Sequence, residues 1–540
     1  MAGRLHENGA GAPSPRSALL WLAALAVVAV QAMALATRYF QAWLDGDYLL
    51  PQRFAADVAA GVYPLSGWTL SSSPYFFPDF TLSLAWHAVL GGAPLLPFYV
   101  VMSYVALALL SGWTLHRVRG TEGHGWLLGA LLVNALLAWQ GMADHARWLW
   151  WLGTATFHGG AVLLGLAQFG LWLGPAETAP SRGRLLTAGV LLFLGLASDT
   201  LLFTQFVAPL GGALFATAPA PRWQARRLRV FLGTAGIACL LVLLLRAGLH
   251  AAQWGNYPAV VRYAPTPSAV AAAAGQMAAD LTGFITAAAP GFVALFVLSL
   301  IGVFGLTRRQ APTGAQHQAG WFAAFCLLST LALPALAAYW RNPQHGRYLL
   351  PCLVIPLWWL LTVLPPAGLR TPLVAGIVTA SLLGLASWRT PQIDFAKWGW
   401  PYPERVAELE KFLRKGEAAH GLADFWNANY LNAVARSGLR LNQLRPDGRV
   451  QFWGNNAFRH FDATSGEGPL RTPLYTFILP NGLDPAALRV KFGEPDREVT
   501  VGAYEVWLYD AAGAQRISAL VDGEVRAFLG GRPGTERIAK

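Results

Sequence analysis

Between two long apolar runs the chain reads WLDGDYLLPQRFAADVAAGVYPLSGWTLSSSPYFFPDF, residues Trp43 to Phe80. Four carboxylates stand in this stretch, Asp45, Asp47, Asp57 and Asp79, whereas the apolar segments around it are nearly free of acids. An apolar run of about 20 residues can cross a bilayer, so the stretch reads as a loop between two membrane segments. Acids concentrated where hydrophobic segments leave a membrane mark a candidate reaction centre. The rest of the chain then reads as the scaffold that holds this loop at a membrane face.

Composition supports that frame. Hydrophobic residues make up 55% of the 540 and charged residues 13%, with a mean hydropathy of +0.40. Soluble domains carry about a quarter charged residues, so this is the composition of an integral membrane protein. The 390 residues before Pro391 hold 21 arginines and 10 acids, while the tail balances 19 Lys and Arg against 18 acids and holds every lysine. The basic excess therefore comes from arginines between membrane segments, which speaks for topology and anionic lipid rather than for nucleic acid. Cys239, Cys326 and Cys352 lie scattered in apolar runs without metal-ligand spacing, so no disulfide framework is implied.

Residues 1–17 are polar, rich in Gly, Ala and Pro, and expected to be disordered. The first apolar run, about Ala18 to Thr37, is too long for the core of a signal peptide and reads as an uncleaved helix. Further apolar segments follow near Thr81–Leu115, Trp126–Trp139, Phe157–Leu173, Leu185–Leu196, Leu201–Phe215 and Val230–Leu245. Others lie near Pro290–Leu306, Trp321–Tyr339, Leu349–Leu364 and Leu373–Ala386. The expected fold is a polytopic α-helical membrane domain over residues 18–390 with about eleven transmembrane helices, the acidic first outer loop spanning 39–80. With the N-terminus in the cytoplasm, Arg4, Arg16, Arg117, Arg119, Arg182, Arg184, Arg222, Arg226, Arg227, Arg229, Arg308, Arg309 and Arg370 fall on the inner side. Asp45, Asp47, Asp57, Asp79, Asp144, Asp199 and Asp280 fall on the outer side. An odd helix count sends the tail out with the first loop, which in a Gram-negative cell means the periplasmic face of the inner membrane.

The tail, residues 391–540, reads as a small α/β domain. Pro403–Glu417 has helical spacing, and Thr476–Leu479, Arg489–Phe492 and Tyr504–Tyr509 read as strands. Aromatic and amide residues cluster in FWNANYLNA, Phe425 to Ala433, and in FWGNNAF, Phe452 to Phe458. No internal repeat is visible.

Within the first loop, Asp45 and Asp47 flank Gly46, so both carboxylates can face one site. One reading is a general base that takes a proton from an acceptor hydroxyl; the other is a solvated turn at a helix exit. Asp57 reads as exposed or as paired with Arg53 one turn earlier, and Asp79 as the start of the next helix. Asp144, His145 and Arg147 stand among tryptophans that form either an interfacial belt or a sugar platform. His158 reads as a satisfied helix-end histidine, and Asp199 as a cap or a site member. In YWRNPQHGRYLLP, Tyr339 to Pro351, the residues Arg341, His345 and Arg347 gather on one outer loop, suited to a phosphate leaving group or to lipid headgroups. Phosphate-binding loops, dinucleotide fingerprints, zinc-protease and serine-hydrolase motifs are absent from the sequence.

The acidic first loop, the many spans, the outer tail and the segment His345-Gly346-Arg347-Tyr348-Leu349-Leu350-Pro351 together resemble the GT-C superfamily of membrane glycosyltransferases. The segment is similar to the (H/E)-x-R-Y-x-x-P segment of transferases that use polyprenyl-phosphate sugars, such as the protein mannosyltransferase and aminoarabinose transferase groups. The resemblance implies an inverting sugar transfer to an envelope acceptor. In it Asp45 or Asp47 would be the base, and Arg341, His345, Arg347 and Tyr348 would hold the donor phosphate. Asp79, Asp144, His145, Arg147 and Asp199 would line the substrate. The D-G-D spacing departs from the family's usual D-E pair, which leaves open which aspartate is the base and whether the two hold a divalent metal ion. No other cofactor is implied. A transporter of lipid-linked saccharide and a non-catalytic membrane scaffold with a partner-binding tail are the competing expectations.

Overall fold

The computed structural model describes residues 15–61, 63–71, 73–119, 124–142, 147–175, 178–219, 221–251, 266–287, 314–337, 343–363, 393–416, 418–461 and 471–530. Helices α1 (Pro15–Trp43), α2 (Gly46–Ala60), α3 (Thr81–Leu90), α4 (Leu96–Arg119), α5 (His124–Met142) and α6 (Arg147–Gly153) come first. Next are α7 (Gly159–Trp172), α8 (Arg182–Ser198), α9 (Ala208–Thr217), α10 (Arg226–Ala251), α11 (Pro267–Ala287), α12 (Gly314–Leu336) and α13 (Leu350–Val363). The tail adds α14 (Glu404–Lys415), α15 (Phe425–Val434), α16 (Pro485–Phe492) and α17 (Ala511–Leu529).

The expectation of about eleven transmembrane helices is corrected. Among the described residues four helices are long and apolar enough to cross a membrane, in α1 (Ala18–Trp43), α4, α10 and α12. Some of the other apolar runs are cut short by their own sequence. Gly91 and Gly92 divide the expected span Thr81–Leu115 into α3 and α4. Helix α7, bounded by His158 and Leu173, has 14 residues, about 21 Å at 1.5 Å per residue, against roughly 30 Å of hydrocarbon. The segments near Pro290–Leu306 and Leu373–Ala386 lie outside the described residues.

The chain divides into two compact bodies. One comprises Met1–Arg38, Leu96–Val242 and Arg262–Ile393, the other Tyr39–Leu95, Leu243–Val261 and Asp394–Lys540. In the first, α4 and α5 meet backbone to backbone, since a Cβ on Gly129 would strike Gly112, as small residues allow between membrane helices. Phe169, Phe206, Phe322 and Trp358 fill the centre. Two of the arginines expected to set topology also close a helix end. Arg227 donates to the carbonyls of Trp172 (2.8 Å) and Pro175 (2.8 Å), and Arg117 to that of Leu173 (3.1 Å), completing carbonyls that the end of α7 leaves open. Much of the apolar surface of α10 in this body, including Leu232, Ile237 and Leu240, stays exposed, as suits lipid.

The second body is built on a five-stranded sheet. Its strands are β2 (His420–Asp424), β3 (Arg440–Leu444), β5 (Phe477–Ile478), β6 (Arg497–Val501) and β7 (Tyr504–Leu508), in the order β3-β2-β5-β7-β6. Strand β2 runs parallel to β3 and β5, and β7 antiparallel to β5 and β6. Leu422, Ile478 and Trp507 pack on Ile517, Val521, Val525 and Leu529 of α17, which recur every four residues and so share one helix face. Residues Arg489–Phe492 form the end of α16, not a strand. Asp484 caps that helix at Ala486 N (3.0 Å), Pro485 occupies its first turn and Gly493 (φ +84) ends it, which are helix signals.

The acidic first loop belongs to this same body. Asp45 caps α2 by accepting from the Asp47 amide (3.0 Å), and Gly61 ends α2 at φ +61. Strand β1 (Trp68–Thr69) pairs antiparallel with β4 (Asn455–Asn456) of the tail. Leu50, Phe54, Trp68, Leu70 and Phe80 pack with Phe425 of the tail in one cluster. A strand pair cannot form across a bilayer, so these parts of the loop and the tail lie on one side of it.

Candidate functional site

Asp45 and its neighbour Leu44 form one wall of a cavity of about 320 Å³ whose other walls come from the tail. Arg405 of α14, Trp426 and Tyr430 of α15, Asn481, and Tyr504 of β7 line it. Helix α15 is placed by Asp424, whose Oδ1 accepts from the Asn427 amide (2.9 Å) at its start. Phe425 then turns into the core, while Trp426 remains 43% exposed. Asn481 is fixed from both ends: its carbonyl accepts from Asn427 Nδ2 (3.2 Å), and its Oδ1 accepts from the Glu505 amide (3.0 Å).

The electrostatics of this cavity are mixed. The Arg405 guanidinium lies 5.3 Å from the centre of the Tyr430 ring, and its hydrogen bond to Tyr430 raises its pKa. Burial pushes the Tyr504 hydroxyl up. Burial likewise raises the Asp424 carboxyl, against the hydrogen bonds from Asn427 and Trp426. One half-buried carboxylate, one guanidinium, an exposed indole and fixed amides suit a polar ring with apolar faces. Asp47 is 7% exposed and Asp79 4% exposed, the latter in the five-residue turn Phe76–Phe80 that leads into α3. Among the described residues no three His, Cys, Asp or Glu side chains converge as metal ligands.

The membrane body holds a second constellation. Asp199 ends α8, and its Oδ1 accepts from the Leu201 amide (3.0 Å). Its Oδ2 lies 2.6 Å from Nδ1 of His158, at the start of α7, and both side chains are buried. Asp199 is thus both a cap and a member of a carboxylate–imidazole pair. The His158 ring lies 5.2 Å from that of Tyr348, which stacks on His345 (5.8 Å). The Arg347 guanidinium sits 5.4 Å from the ring centres of both Phe157 and Tyr348. Gln205 Nε2 anchors the segment on the Tyr348 carbonyl at 2.7 Å. A carboxylate that holds an imidazole can set its tautomer, and a guanidinium framed by aromatic faces is a cation for an anionic group.

Of the residues expected from sequence, His345, Arg347, Tyr348 and Asp199 come together in this body, with His158 and Phe157 added. Asp45, Asp47 and Asp79 lie in the other. Asp144, His145 and Arg341 lie outside the described residues, and of Arg147 only the backbone, at the start of α6, is described. Asp57 is neither exposed nor paired with Arg53: it is 2% exposed and bound by Arg459 and by Asn456 Nδ2 (3.2 Å). Sequence reasoning missed the tail residues of the Asp45 cavity as site members, although the aromatic and amide cluster around Trp426 is visible in the sequence. Compared with models of known protein families the chain matches none, and no curated protein matches it.

Proposed function

We propose that this protein is a membrane-bound inverting glycosyltransferase that moves a sugar from a polyprenyl-phosphate donor to an envelope acceptor at the outer face of the inner membrane. The observation that carries this reading is the Asp45 cavity. There a carboxylate faces a space lined by Trp426, Tyr430 and fixed amide groups, the combination that stacks on the CH face of a sugar and bonds its hydroxyls. In this proposal Asp45, or Asp47 two residues on, takes the proton from the acceptor hydroxyl. Arg347, with His345, Tyr348 and Arg341, stabilises the departing phosphate. Single displacement at the anomeric carbon inverts its configuration. The similarity of His345 to Pro351 to polyprenyl-phosphate-sugar transferases supports the donor class.

The test is transfer of radiolabelled sugar from polyprenyl-phosphate donors to envelope fractions, by membranes containing the native chain or Asp45→Asn, Asp47→Asn or Arg347→Ala. Loss of transfer in one aspartate variant and in Arg347→Ala, at equal expression, supports the reading and identifies the base. Transfer unchanged in all three, or none from any donor despite folded protein, contradicts it and favours a transporter or a scaffold.

A further inference from the structure

A second cavity in the body formed by the first loop and the tail, of about 240 Å³, is lined by Arg53 and Gln52 of α2, His87 of α3, Trp400, and Arg459. Its charges do not balance. Arg459 is committed to Asp57, through Nε (3.2 Å) and Nη2, and among the described residues the other hydrogen bond to the Asp57 carboxylate comes from Asn456 Nδ2. Among the described residues Arg53 has one hydrogen-bond partner, Asn455 Oδ1, reached from Nη2 at 3.1 Å. Its Nε and Nη1 are buried and bonded to nothing among the described residues. Among the described residues two guanidinium groups thus stand near one carboxylate, which is bonded to Arg459 and not to Arg53.

Burial and the neighbouring Arg459 push the Arg53 pKa down to about 9, with Asp57 acting the other way; Arg53 therefore keeps its charge at neutral pH. His460 does not add to it. Burial, with Arg53 nearby, pushes that imidazole down to about 3, so it stays neutral. Leaving N–H groups of a buried cation without acceptors is costly, and α2 keeps such a group at the edge of an open cavity.

We propose that this cavity is a phosphate site, in which an anionic phosphoryl group accepts from Arg53 and balances the charge that Arg53 and Arg459 share. Arg53 lines the cavity, and a change of its side-chain rotamer would bring its unpartnered Nη1 to a bound oxygen. The guanidinium supplies several donors in a planar fork, the geometry that phosphate oxygens accept. A phospholipid headgroup and a soluble phosphate share this chemistry. The inference is independent of sugar transfer.

The test is thermal unfolding of the purified full chain in nonionic detergent, with inorganic phosphate replacing chloride at constant ionic strength. In a parallel arm, phosphatidylglycerol is added to the micelles. The expected result is a saturable rise in unfolding temperature in one arm or both, with apparent affinity at least roughly tenfold weaker in Arg53→Gln and unchanged in Arg489→Gln. A rise with phosphate assigns a soluble source, and a rise with phosphatidylglycerol alone assigns a headgroup. In chloride Arg53→Gln should unfold no earlier than the native chain, because it removes the unbalanced charge. Should Arg53→Gln not fold, Arg53→Lys, which keeps the charge without the fork, must weaken the effect. No rise in either arm, or a rise of equal affinity in the Arg53 variant, overturns the proposal.

Discussion

Asp57 and Arg459, 402 residues apart in the chain, form an ion pair whose carboxylate is almost wholly buried. Removing one member of a buried pair strands the other, at about 3–5 kcal/mol. Asp57→Ala is therefore expected to lower the unfolding temperature of the full chain steeply, because Arg459 then loses its ion-pair partner and Arg53 the nearby negative charge that offsets part of its own. Arg53→Gln added to Asp57→Ala should recover part of the loss. Equal unfolding temperatures for Asp57→Ala and the native chain would remove the pair from the stability account.

Gly67 gives a steric test of the same region. A Cβ there would collide with the side chains of Asn456 and Phe458, and Asn456 is held by Asp57, the Pro64 carbonyl and the Phe458 amide. Gly67→Ala is expected to cost about 1–3 kcal/mol by overpacking and to speed protease cleavage of the first loop. Gly91→Ala is the control: its added Cβ would touch nothing, so its cost is confined to the positive φ of +59.

In the membrane body, Asp199→Asn replaces the acceptor that fixes His158. The expected effect is a loss of about 1–3 kcal/mol, together with a change in the ratio of the His158 ring tautomers read by nitrogen NMR. An unchanged tautomer ratio would show that Asp199 does not set the ring.

Glu410 makes the second body sensitive to acid. Its carboxylate accepts from the amides of Arg436 (3.0 Å) and Ser437 (2.6 Å), the Ser437 hydroxyl and the Tyr402 hydroxyl (2.7 Å). Burial raises its carboxyl, but the bonds from Ser437, Tyr402 and Arg436 outweigh that and hold it below the ordinary 4.5. A depressed folded pKa gives stability that is complete above the unfolded value and is lost as pH falls through the folded one. Glu410→Gln should therefore be less stable than the native chain at neutral pH, and the gap should close on acidification below about pH 4.5. A gap that stays constant with pH would show that the carboxylate charge does not matter.

The long apolar runs of α1, α4, α10 and α12 could be read from composition, because their length exceeds what a bilayer needs. The shorter runs could not be judged the same way: α7 is as apolar as a span, and only its ends, at His158 and Leu173, show that it is too short. The partner of Asp57 was hidden for a different reason. Sequence spacing points to Arg53 at one helical turn, but β1 pairs with β4 and brings Arg459 from the far end of the chain. Long-range pairing leaves no local signal, so the loop's union with the tail was not legible. The His345 to Pro351 segment was legible as a cationic cluster, whereas its coupling to His158 and Asp199 depends on how α7, α8 and the 343–349 turn pack.

The union of loop and tail supports both the Asp45 cavity and the phosphate site, and one cross-link tests it. A Cβ built on Gly46 would stand 3.2 Å from the Cβ of Asn429, close to the separation a disulfide requires. Gly46→Cys combined with Asn429→Cys, oxidised in native membranes, should form a bond that holds the two halves together after cleavage between them. Neither single variant should do so, since the natural cysteines Cys239, Cys326 and Cys352 all lie in helices of the other body. Two thiols that stay free under oxidant, in a protein otherwise folded, would contradict the shared body and the sites built on it.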